Sequence, residues 1–539
     1  MLPQSQSTPA PRAKITSKIT EKGYVVYKQD APGSLLDEIR QELTVRPNVN
    51  PNYAVQVDPY PVYRENSTKM YLPRFYGCSK LGPPTRGSIY DTPVVEQKAR
   101  LETTITLRDY QKPIVDETLR ILRGSGTGSG GGVLELYTGS GKTSIAVYIM
   151  CSLKVKTLIV VHKSFLLQQW VDRIRAQTTP ALTRIGVIQG TTFDVTDKDV
   201  VIGMLQTLSM KDFSRDQEKE LRQFGMVIVD ETHHIGAEVF CRALPKIASR
   251  YMLGLSATPV RKDGLTKVIY WYMGDTAYRL QRDGDESQRV FVKKVVFKPI
   301  KKDSVKNSYG REHRNFKGVL MLPQMISDIV AYEPRNDVIV NEIMQYSRAS
   351  EPGRQVMVIS DRIQHLHHLK HLVDTLINRQ VDQVAMTTAF YTGQQKQKEL
   401  QIAEKADIIF SSYAMCREGL DIQTLNTLIL ATSTGDVVQT CGRILRKVHD
   451  VSPFIVDIVD TFSTFAGQSK KRDAFYKKSQ YAVYKINSDS TNNAHMSSVD
   501  VARLYSTANL KKEPKDSSDD DDDHDHDDKK YTFVKEDDI

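Results

Sequence analysis

The segment TGSGKT at residues 138–143 has the residue types and spacing of a loop that binds phosphate. It follows an apolar run and precedes a helical pattern. Glycines there let successive N–H groups face an anion at the N-terminus of the helix. The strict form of this loop has glycine at position 136, where this chain has Leu136. The phosphate-facing positions are intact, and the expected nucleotide-binding residues are Thr138, Gly139, Ser140, Gly141, Lys142 and Thr143.

The last two residues of that loop and a later acidic pair suggest how a nucleotide could be bound and hydrolysed. The Lys142 ammonium is expected to reach the β- and γ-phosphates of a nucleotide, and the Thr143 hydroxyl to bind Mg²⁺. An acidic pair, Asp230 and Glu231, ends a second apolar run 88 residues after Lys142. We expect Asp230 to hold Mg²⁺ and Glu231 to orient the attacking water. The adjacent histidines lack H-E-x-x-H spacing, which disfavours zinc. Together these residues predict ATP and Mg²⁺ as cofactors.

Regular elements must position these side chains. The sequence around them contains short β-branched runs separated by helical patterns. Near-continuous apolar strands alternating with helices are typical of a parallel sheet covered on both faces. Polar segments at 281–289 and 298–314 interrupt the alternation, which indicates two α/β units. The first unit contains runs at 133–138, 157–162, 200–205, 226–230 and 252–257, and the second at 355–360, 384–390, 407–412, 427–432 and 453–460.

Four motifs in order resemble those of the superfamily 2 helicases. They are TGSGKT, the DExH-type box DETHH, SAT within GLSATP, and QTCGRILR. The resemblance covers about residues 105–460. It implies two tandem RecA-like (P-loop NTPase) domains with parallel sheets, ATP hydrolysis and a nucleic-acid partner.

The last motif contains Gln439, Gly442, Arg443 and Arg446, and the resemblance makes Gln439 and the two arginines catalytic. The arginines are spaced i, i+3, so on a helix both project from one face. An ATPase site needs a cation where charge develops on the transferred phosphoryl group. We expect the second unit to present these arginines to ATP held by the first. Ordinary surface arginines are the alternative.

Weaker similarities extend the expected site. LRDYQ at 107–111 resembles the adenine-side motif, with Arg108 and Gln111 as nucleotide contacts, and REGLD at 417–421 adds Gly419 and Asp421. For Trp170, core packing and stacking on a base are both open. The residues expected to contact nucleic acid or couple it to ATP are Gln169, Trp170, Gly190, Thr207, Ser256, Ala257, Thr258, Ser360, Gly393 and Thr432.

SATPVRKDG is most similar to XPB-type helicases and to poxvirus transcript-release helicases of large DNA viruses. XPB-type members carry Arg-Glu-Asp where this chain has Arg261-Lys262-Asp263, so the central charge is reversed. The segment MYLPRFYG at 70–77 also resembles the N-terminal region of the viral helicases. These resemblances imply 3′→5′ movement on DNA and work linked to transcription.

Length, composition and charge limit the classes of protein to which this chain can belong. The 539 residues are enough for several domains, and we expect an irregular N-terminal region at 1–100, RecA-like domains at 101–285 and 286–505, and a disordered acidic tail at 506–539. No apolar run is long enough for a membrane span. Five scattered cysteines indicate an intracellular, reducing compartment, which for a viral protein means the host-cell cytoplasm or the virion. The net charge is +9, and without the nine Asp of residues 516–528 it is +18, which favours nucleic acid as partner.

Three rival functions remain. An RNA helicase carries the same motifs as a DNA helicase, and no residue here distinguishes the sugar. A non-hydrolysing scaffold or transcription factor would have little use for Lys142, Glu231 and Arg443 together. A nuclease-linked motor would need a metal-dependent nuclease cluster, which we do not find in the sequence. Histidines 365, 367, 368 and 371 are interpreted as the polar border of a solvated helix, with zinc binding as the alternative.

Overall fold

The computed structural model describes residues 15–48, 58–89, 101–124, 130–137, 139–179, 183–234, 237–247, 249–257, 263–280, 289–299, 308–347, 351–379, 385–418, 422–445, 447, 449–489 and 533–534. The chain divides into two units, Met1–Gln281 and Arg282–Ile539. Within the described ranges no helix is both long and apolar enough to cross a membrane.

The N-terminal part of the first unit is more regular than the sequence predicts. Four of its strands form a sheet in the order β1-β2-β6-β5, antiparallel throughout, and β3 pairs with β4. Tyr24, Ile39 and Met70 are fully buried in a core of its own, which also takes in Leu265 and Val268. The elements are β1 Ser17–Thr20, β2 Gly23–Tyr27, α1 Gly33–Glu42, β3 Thr44–Val45, β4 Tyr60–Pro61, β5 Arg64–Glu65, β6 Lys69–Leu72 and α2 Arg74–Leu81.

The rest of the first unit is an α/β domain around one eight-stranded sheet. The strand order is β10-β9-β11-β8-β12-β13-β7-β14, and every pair is parallel except β10 with β9. Its elements are α3 Lys112–Arg123, β7 Gly131–Leu136, α4 Lys142–Leu153, β8 Thr157–Val161, α5 Ser164–Gln177, β9 Ile185–Gln189, β10 Thr192–Phe193, β11 Val200–Met204, α6 Leu205–Met210, α7 Arg215–Leu221, β12 Met226–Val229, α8 Ala237–Ile247, β13 Tyr251–Ser256, α9 Thr266–Met273 and β14 Thr276–Leu280.

All five apolar runs predicted for this unit are strands, and every residue of β7, β8, β11, β12 and β13 is buried. Burial on both faces explains their uninterrupted apolar sequence. Because these strands are parallel, their carboxyl ends lie along one edge of the sheet. That edge therefore brings together the residues that follow Leu136, Val229 and Ser256, where an α/β domain binds its ligands.

The second unit is also α/β, with an eight-stranded sheet that is parallel throughout. The strand order is β17-β18-β16-β19-β20-β15-β21-β22. Its elements are β15 Phe291–Val296, α10 Leu322–Val330, α11 Glu333–Gln345, β16 Val356–Ser360, α12 Ile363–Arg379, β17 Thr388–Tyr391, α13 Gln397–Ala403, β18 Ile408–Ser412, α14 Tyr413–Glu418, β19 Thr427–Leu430, α15 Val438–Cys441, β20 Phe454–Val459, α16 Ser463–Lys478, β21 Ala482–Asn487 and β22 Phe533–Val534.

Most of the expected acidic tail lies outside the described residues, including 516–528. The exception is β22, whose Phe533 and Val534 pair with Val483 and Tyr484 of β21.

The histidine-rich helix α12 differs from the prediction. His365 is not on a solvated border but is buried, with 3% of its surface exposed. The Asn336 amide donates to Val330 O at 3.0 Å, so its oxygen accepts the His365 Nε2–H at 3.0 Å. His365 Nδ1 then accepts the Ser360 hydroxyl at 2.9 Å. Burial lowers the pKa of His365 to about 3, so this imidazole is a neutral structural link.

Candidate nucleotide site and candidate nucleic-acid residues

The phosphate loop joins β7 to α4 through two glycines in left-handed conformations. Gly139 has φ +95° and Gly141, which precedes the first residue of α4, has φ +83°. Non-glycine residues rarely adopt such backbone angles. A Cβ on Gly141 would also lie 2.6 Å from Gln111 Nε2. Both steric conditions therefore require glycine at position 141. Thr138 lies outside the described residues.

Gln111 lies against this loop and is only 5% exposed. Its Nε2 donates to Ser140 O at 3.0 Å, and its Oε1 accepts the Arg108 backbone N–H at 3.0 Å. Tyr110 OH donates to the same Ser140 carbonyl at 3.1 Å, a contact that the sequence did not suggest. The Arg108 side chain is exposed and donates to Tyr110 OH at 3.3 Å. The LRDYQ segment thus supports the phosphate loop, and Gln111 uses both ends of its amide within the chain.

The loop carries polar groups suited to an anion. The Lys142 ammonium donates to Leu136 O at 3.2 Å, so it lies back across the end of β7. The Ser140 hydroxyl is fully buried and has no hydrogen-bond partner among the described residues. Thr143 is half-buried in the first turn of α4. A buried unpartnered hydroxyl beside the N-terminus of a helix fits a bound phosphate.

Asp230 follows β12 and is held by two donors. The Trp170 indole N–H donates to Asp230 Oδ2 at 2.9 Å, and the Glu231 backbone N–H donates to Asp230 Oδ1 at 2.9 Å. Trp170 is only 2% exposed, so its ring packs in the core and does not offer a face to a base. The two residues are 60 positions apart, so the sequence alone gave no indication of this bond.

Burial raises the pKa of Asp230 to about 6, and the neighbouring Glu231 carboxylate adds to the rise. The Trp170 hydrogen bond and the charge of Lys142 act in the opposite direction. A divalent cation beside this carboxylate would favour its charged form. Among the described residues no group of three or more His, Cys, Asp and Glu side chains is placed to hold a metal ion. Asp230 and Thr143 are the residues of this site that would hold Mg²⁺.

Glu231 links this acidic pair to the next strand. It has φ +47°, a left-handed conformation that is strained for a non-glycine residue. Its Oε2 lies 3.5 Å from His233 Nδ1, and that nitrogen is 2.8 Å from Ser256 Oγ. Ser256 ends β13 and is fully buried. The contact between His233 and Ser256 is a hydrogen bond, whereas Glu231 Oε2 lies near His233 without a hydrogen bond to it. His233 therefore lies between the residue expected to orient water and the SAT motif expected to couple ATP with nucleic acid. Sequence analysis considered His233 only as a metal ligand and missed this link.

Two expected nucleic-acid residues of the first unit meet directly. The Gly190 backbone N–H donates to Thr207 Oγ1 at 2.9 Å, and Gly190 has φ +57°. Gln169 on α5 and Ala257 after β13 are half-buried, and Thr258 lies outside the described residues.

In the second unit the expected residues gather at the carboxyl ends of β16 and β19. Ser360 ends β16 and is fully buried against His365. The Asp361 backbone N–H donates to Thr432 Oγ1 at 2.9 Å, which ties the two segments together. Gly393 is exposed beyond β17. Ser360 and Thr432 are thus neighbours, whereas no described hydrogen bond connects Gly393 to them.

The QTCGRILR motif crosses from α15 into a 3-10 turn at Gly442–Leu445. Gln439 is 7% exposed and Arg443 is 6% exposed. The Arg443 guanidinium donates to the Arg417 carbonyl oxygen, whereas the sequence predicted that it would project from an α-helix. Arg446, Gly419 and Asp421 lie outside the described residues.

Comparison with known proteins finds one matching family and several similar proteins. Residues 104–261 match the family described as type III restriction enzyme, res subunit. The chain is 35% identical over 480 residues to the protein named "Putative ATP-dependent RNA helicase L396" of Acanthamoeba polyphaga mimivirus, covering 87% of both chains. It is 28% identical to "Putative ATP-dependent RNA helicase QP509L" of African swine fever virus (strain Badajoz 1971 Vero-adapted), covering 74% of this chain and 78% of that protein. It is 34% identical to "DNA 3'-5' translocase XPB2" of Sulfurisphaera tokodaii, covering 33% of this chain and 37% of that protein.

Proposed function

This chain belongs to the superfamily 2 helicases, and from that membership we propose that ATP hydrolysis at the Lys142–Asp230 site drives it along DNA. It is an ATP-dependent helicase or translocase that acts on nucleic acid. The observation that carries the proposed site is the placement of the phosphate loop and the acidic pair at one edge of one parallel sheet.

The proposed roles follow from the contacts around that edge. The α4 N-terminus and the N–H groups of the loop bind phosphate, while Lys142 neutralises its charge. Asp230 and Thr143 hold Mg²⁺, which when bound neutralises charge on the phosphate oxygens. Glu231 orients the attacking water. The position of Glu231 beside His233, which hydrogen-bonds Ser256, supports coupling between this water-orienting residue and the SAT motif.

An RNA substrate is the second candidate. The relative that is similar over most of both chains carries an RNA helicase name, and so does the African swine fever virus protein. The DNA translocase covers a shorter part. DNA is our preferred substrate because SATPVRKDG resembles the XPB-type motif. We also propose 3′→5′ polarity and a role in transcription, which the same resemblance implies.

The deciding experiment compares ATPase stimulation by single-stranded DNA, duplex DNA and RNA of matched length. We expect the largest stimulation with DNA. Stronger stimulation by RNA would reverse the substrate preference, and no stimulation by any of them would contradict the proposed coupling.

The site itself is tested by two variants. Lys142→Ala should abolish ATP binding or turnover because it removes the charge that balances phosphate. Glu231→Gln should bind ATP and nucleic acid but hydrolyse poorly, since the amide lacks the charge and one of the two acceptor oxygens with which the carboxylate orients the attacking water. Lys154→Ala, an exposed lysine at the other end of α4, is the matched control and should behave as wild type. Normal turnover in Lys142→Ala would remove this loop from the active site.

A further inference from the structure

One short turn of the second unit displays an aromatic ring to solvent. In this Phe316 turn, residues 313–321, Phe316 is 94% exposed. Among the large hydrophobic residues that the structure describes, none is more exposed. A partner that covers a ring of this size gains hydrophobic free energy on binding.

The Phe316 turn is held by its own hydrogen bonds. The Asn315 N–H donates to Val319 O at 2.9 Å, and the Gly318 N–H, at φ +74°, donates to Asn315 O at 2.9 Å. The Asn315 side-chain oxygen accepts the N–H groups of Lys317 and Val319 at 2.9 and 3.0 Å. Four bonds over five residues fix the backbone, so Phe316 is presented on a preorganised tip. Preorganisation lowers the entropy lost on binding a partner.

The base of the turn is anchored in the core of the unit. The Met321 N–H donates to His313 O at 2.7 Å, and His313 Nε2 lies 2.5 Å from Asp328 Oδ2 of α10. Just before the turn, Tyr309 stacks on Tyr332 with ring centroids 5.1 Å apart and donates its hydroxyl to Asp460 Oδ1 at 2.8 Å. These contacts tie the turn to the sheet.

The anchors place the base of the turn at the carboxyl edge of that sheet. Asp460 directly follows the last residue of β20. The Arg362 guanidinium, two residues after Ser360, donates to Pro323 O at the start of α10 at 2.9 Å. The Phe316 turn is therefore rooted at the edge where the buried residues Ser360 and Thr432, both expected to contact nucleic acid or to couple it to ATP, are joined.

The charges around Phe316 suit a polyanion. Along residues 308–321, Arg311, Arg314 and Lys317 outnumber the one acid Glu312, which Arg314 contacts at 2.8 Å. The Lys317 ammonium lies 5.7 Å from the centroid of the Phe316 ring. An exposed ring beside a lysine matches the two parts of a single strand, because aromatic rings stack on unpaired bases and cations contact phosphates.

We propose that the Phe316 turn binds single-stranded nucleic acid by stacking Phe316 on one unpaired base, with Lys317 on an adjacent phosphate. This inference rests on the proposed nucleic-acid function of the chain and adds a contact in the second unit. DNA and RNA share phosphodiester chemistry and unpaired bases, so the test includes one oligonucleotide of each kind.

The first test measures binding of oligo(dT) and oligo(U) of equal length by fluorescence anisotropy across a salt titration. Phe316→Ala should weaken binding roughly tenfold, the size of one lost stacking contact, with the salt dependence unchanged. Lys317→Ala should lower the slope of log affinity against log salt by about one. Ile402→Ala, an exposed apolar residue of α13, is the matched control and should bind as wild type. ATPase without nucleic acid should be the same in all four proteins.

A second test reports stacking directly. In Phe316→Trp the new indole should be quenched when either oligonucleotide binds, beyond any change from the native Trp170 and Trp271. Wild-type affinity in Phe316→Ala, or no added quenching in Phe316→Trp, would overturn the inference while the wild-type protein still binds nucleic acid and is stimulated by it. If the wild-type protein binds neither oligonucleotide and neither stimulates its ATPase, both the inference and the proposed function fail.

Discussion

At the scale of single residues, the bond from Trp170 to Asp230 is the contact by which a core side chain would orient the proposed metal-binding carboxylate. The indole is a donor only, so it fixes one carboxylate oxygen without competing for a cation. The Glu231 N–H fixes the other oxygen. A metal-binding carboxylate that is already oriented loses less entropy when the cation arrives.

Trp170→Phe keeps an aromatic ring in the core but removes the N–H together with the rest of the five-membered ring. A hydrogen bond to a charged group contributes about 1.5–3 kcal/mol, so we expect kcat to fall roughly tenfold or more and the Mg²⁺ concentration for half-maximal ATPase to rise. An Mg²⁺ titration of the ATPase measures both. Trp271→Phe is the control, since Trp271 packs edge-on against Tyr76. Unchanged Mg²⁺ dependence in a folded Trp170→Phe protein would show that the bond only stabilises the core.

Arg443 supplies the second residue-scale prediction. Arg443→Ala should lower kcat by about 10³-fold, the order associated with arginine fingers, while ATP affinity changes much less, because such a contact strengthens in the transition state. Single-turnover hydrolysis and nucleotide binding measured separately check this. Lys447→Ala removes an exposed cation nearby and should have no effect. Weakened ATP binding with unchanged kcat would instead indicate that Arg443 acts through its bond to Arg417 O.

At the scale of elements, nine of the ten apolar runs were predictable because burial on both faces leaves a continuous apolar pattern. The exception is β17, three of whose four residues are half-buried. Sequence analysis missed β15, although all six of its residues are buried. Lys293 and Lys294 interrupt its pattern, and their charges are balanced only by tertiary partners. The same limit explains His365, since no local pattern indicates that Asn336 and Ser360 enclose it. In the site, loop and acidic-box residues were identifiable by spacing, but the Trp170–Asp230 and Glu231–His233–Ser256 contacts depend on the sheet register.

The buried pair in β15 gives an element-scale prediction. Lys293 Nζ lies 3.0 Å from both carboxylate oxygens of Glu342, and the side chains are 0% and 2% exposed. Burial raises the pKa of Glu342, and Lys293 opposes that rise. Lys293→Met alone should reduce the free energy of unfolding by about 3–5 kcal/mol, because it leaves a carboxylate buried without its counter-ion. Lys293→Met with Glu342→Leu should recover most of the loss.

Urea unfolding followed by circular dichroism compares the three proteins. Lys219→Ala breaks an exposed pair with Asp216 and serves as the surface control, with an expected change below about 1 kcal/mol. A double variant as unstable as Lys293→Met would mean that the ion pair is needed for more than charge balance.

At the scale of the whole molecule, charge is distributed unevenly along the chain. Residues 516–528 contain nine Asp and no Lys or Arg, while the remainder carries +18. A tethered polyanion has a high effective concentration near any basic surface of the same chain, so it can compete with nucleic acid for that surface. Such competition weakens as salt screens the charges.

Truncation after Pro514, which also removes the edge strand β22, should therefore tighten nucleic-acid binding at low salt and steepen its salt dependence, because phosphate contacts no longer displace an internal competitor. ATPase without nucleic acid should not change, since no residue assigned to the nucleotide site is removed. Binding curves for the full-length and truncated proteins across a salt titration make the comparison. A third protein, with the nine Asp of 516–528 replaced by Asn at unchanged length, separates charge from chain length: it should match the truncated protein. Coincident curves for all three would show that the tail does not contact the nucleic-acid surface and only contributes charge to the molecule's solubility.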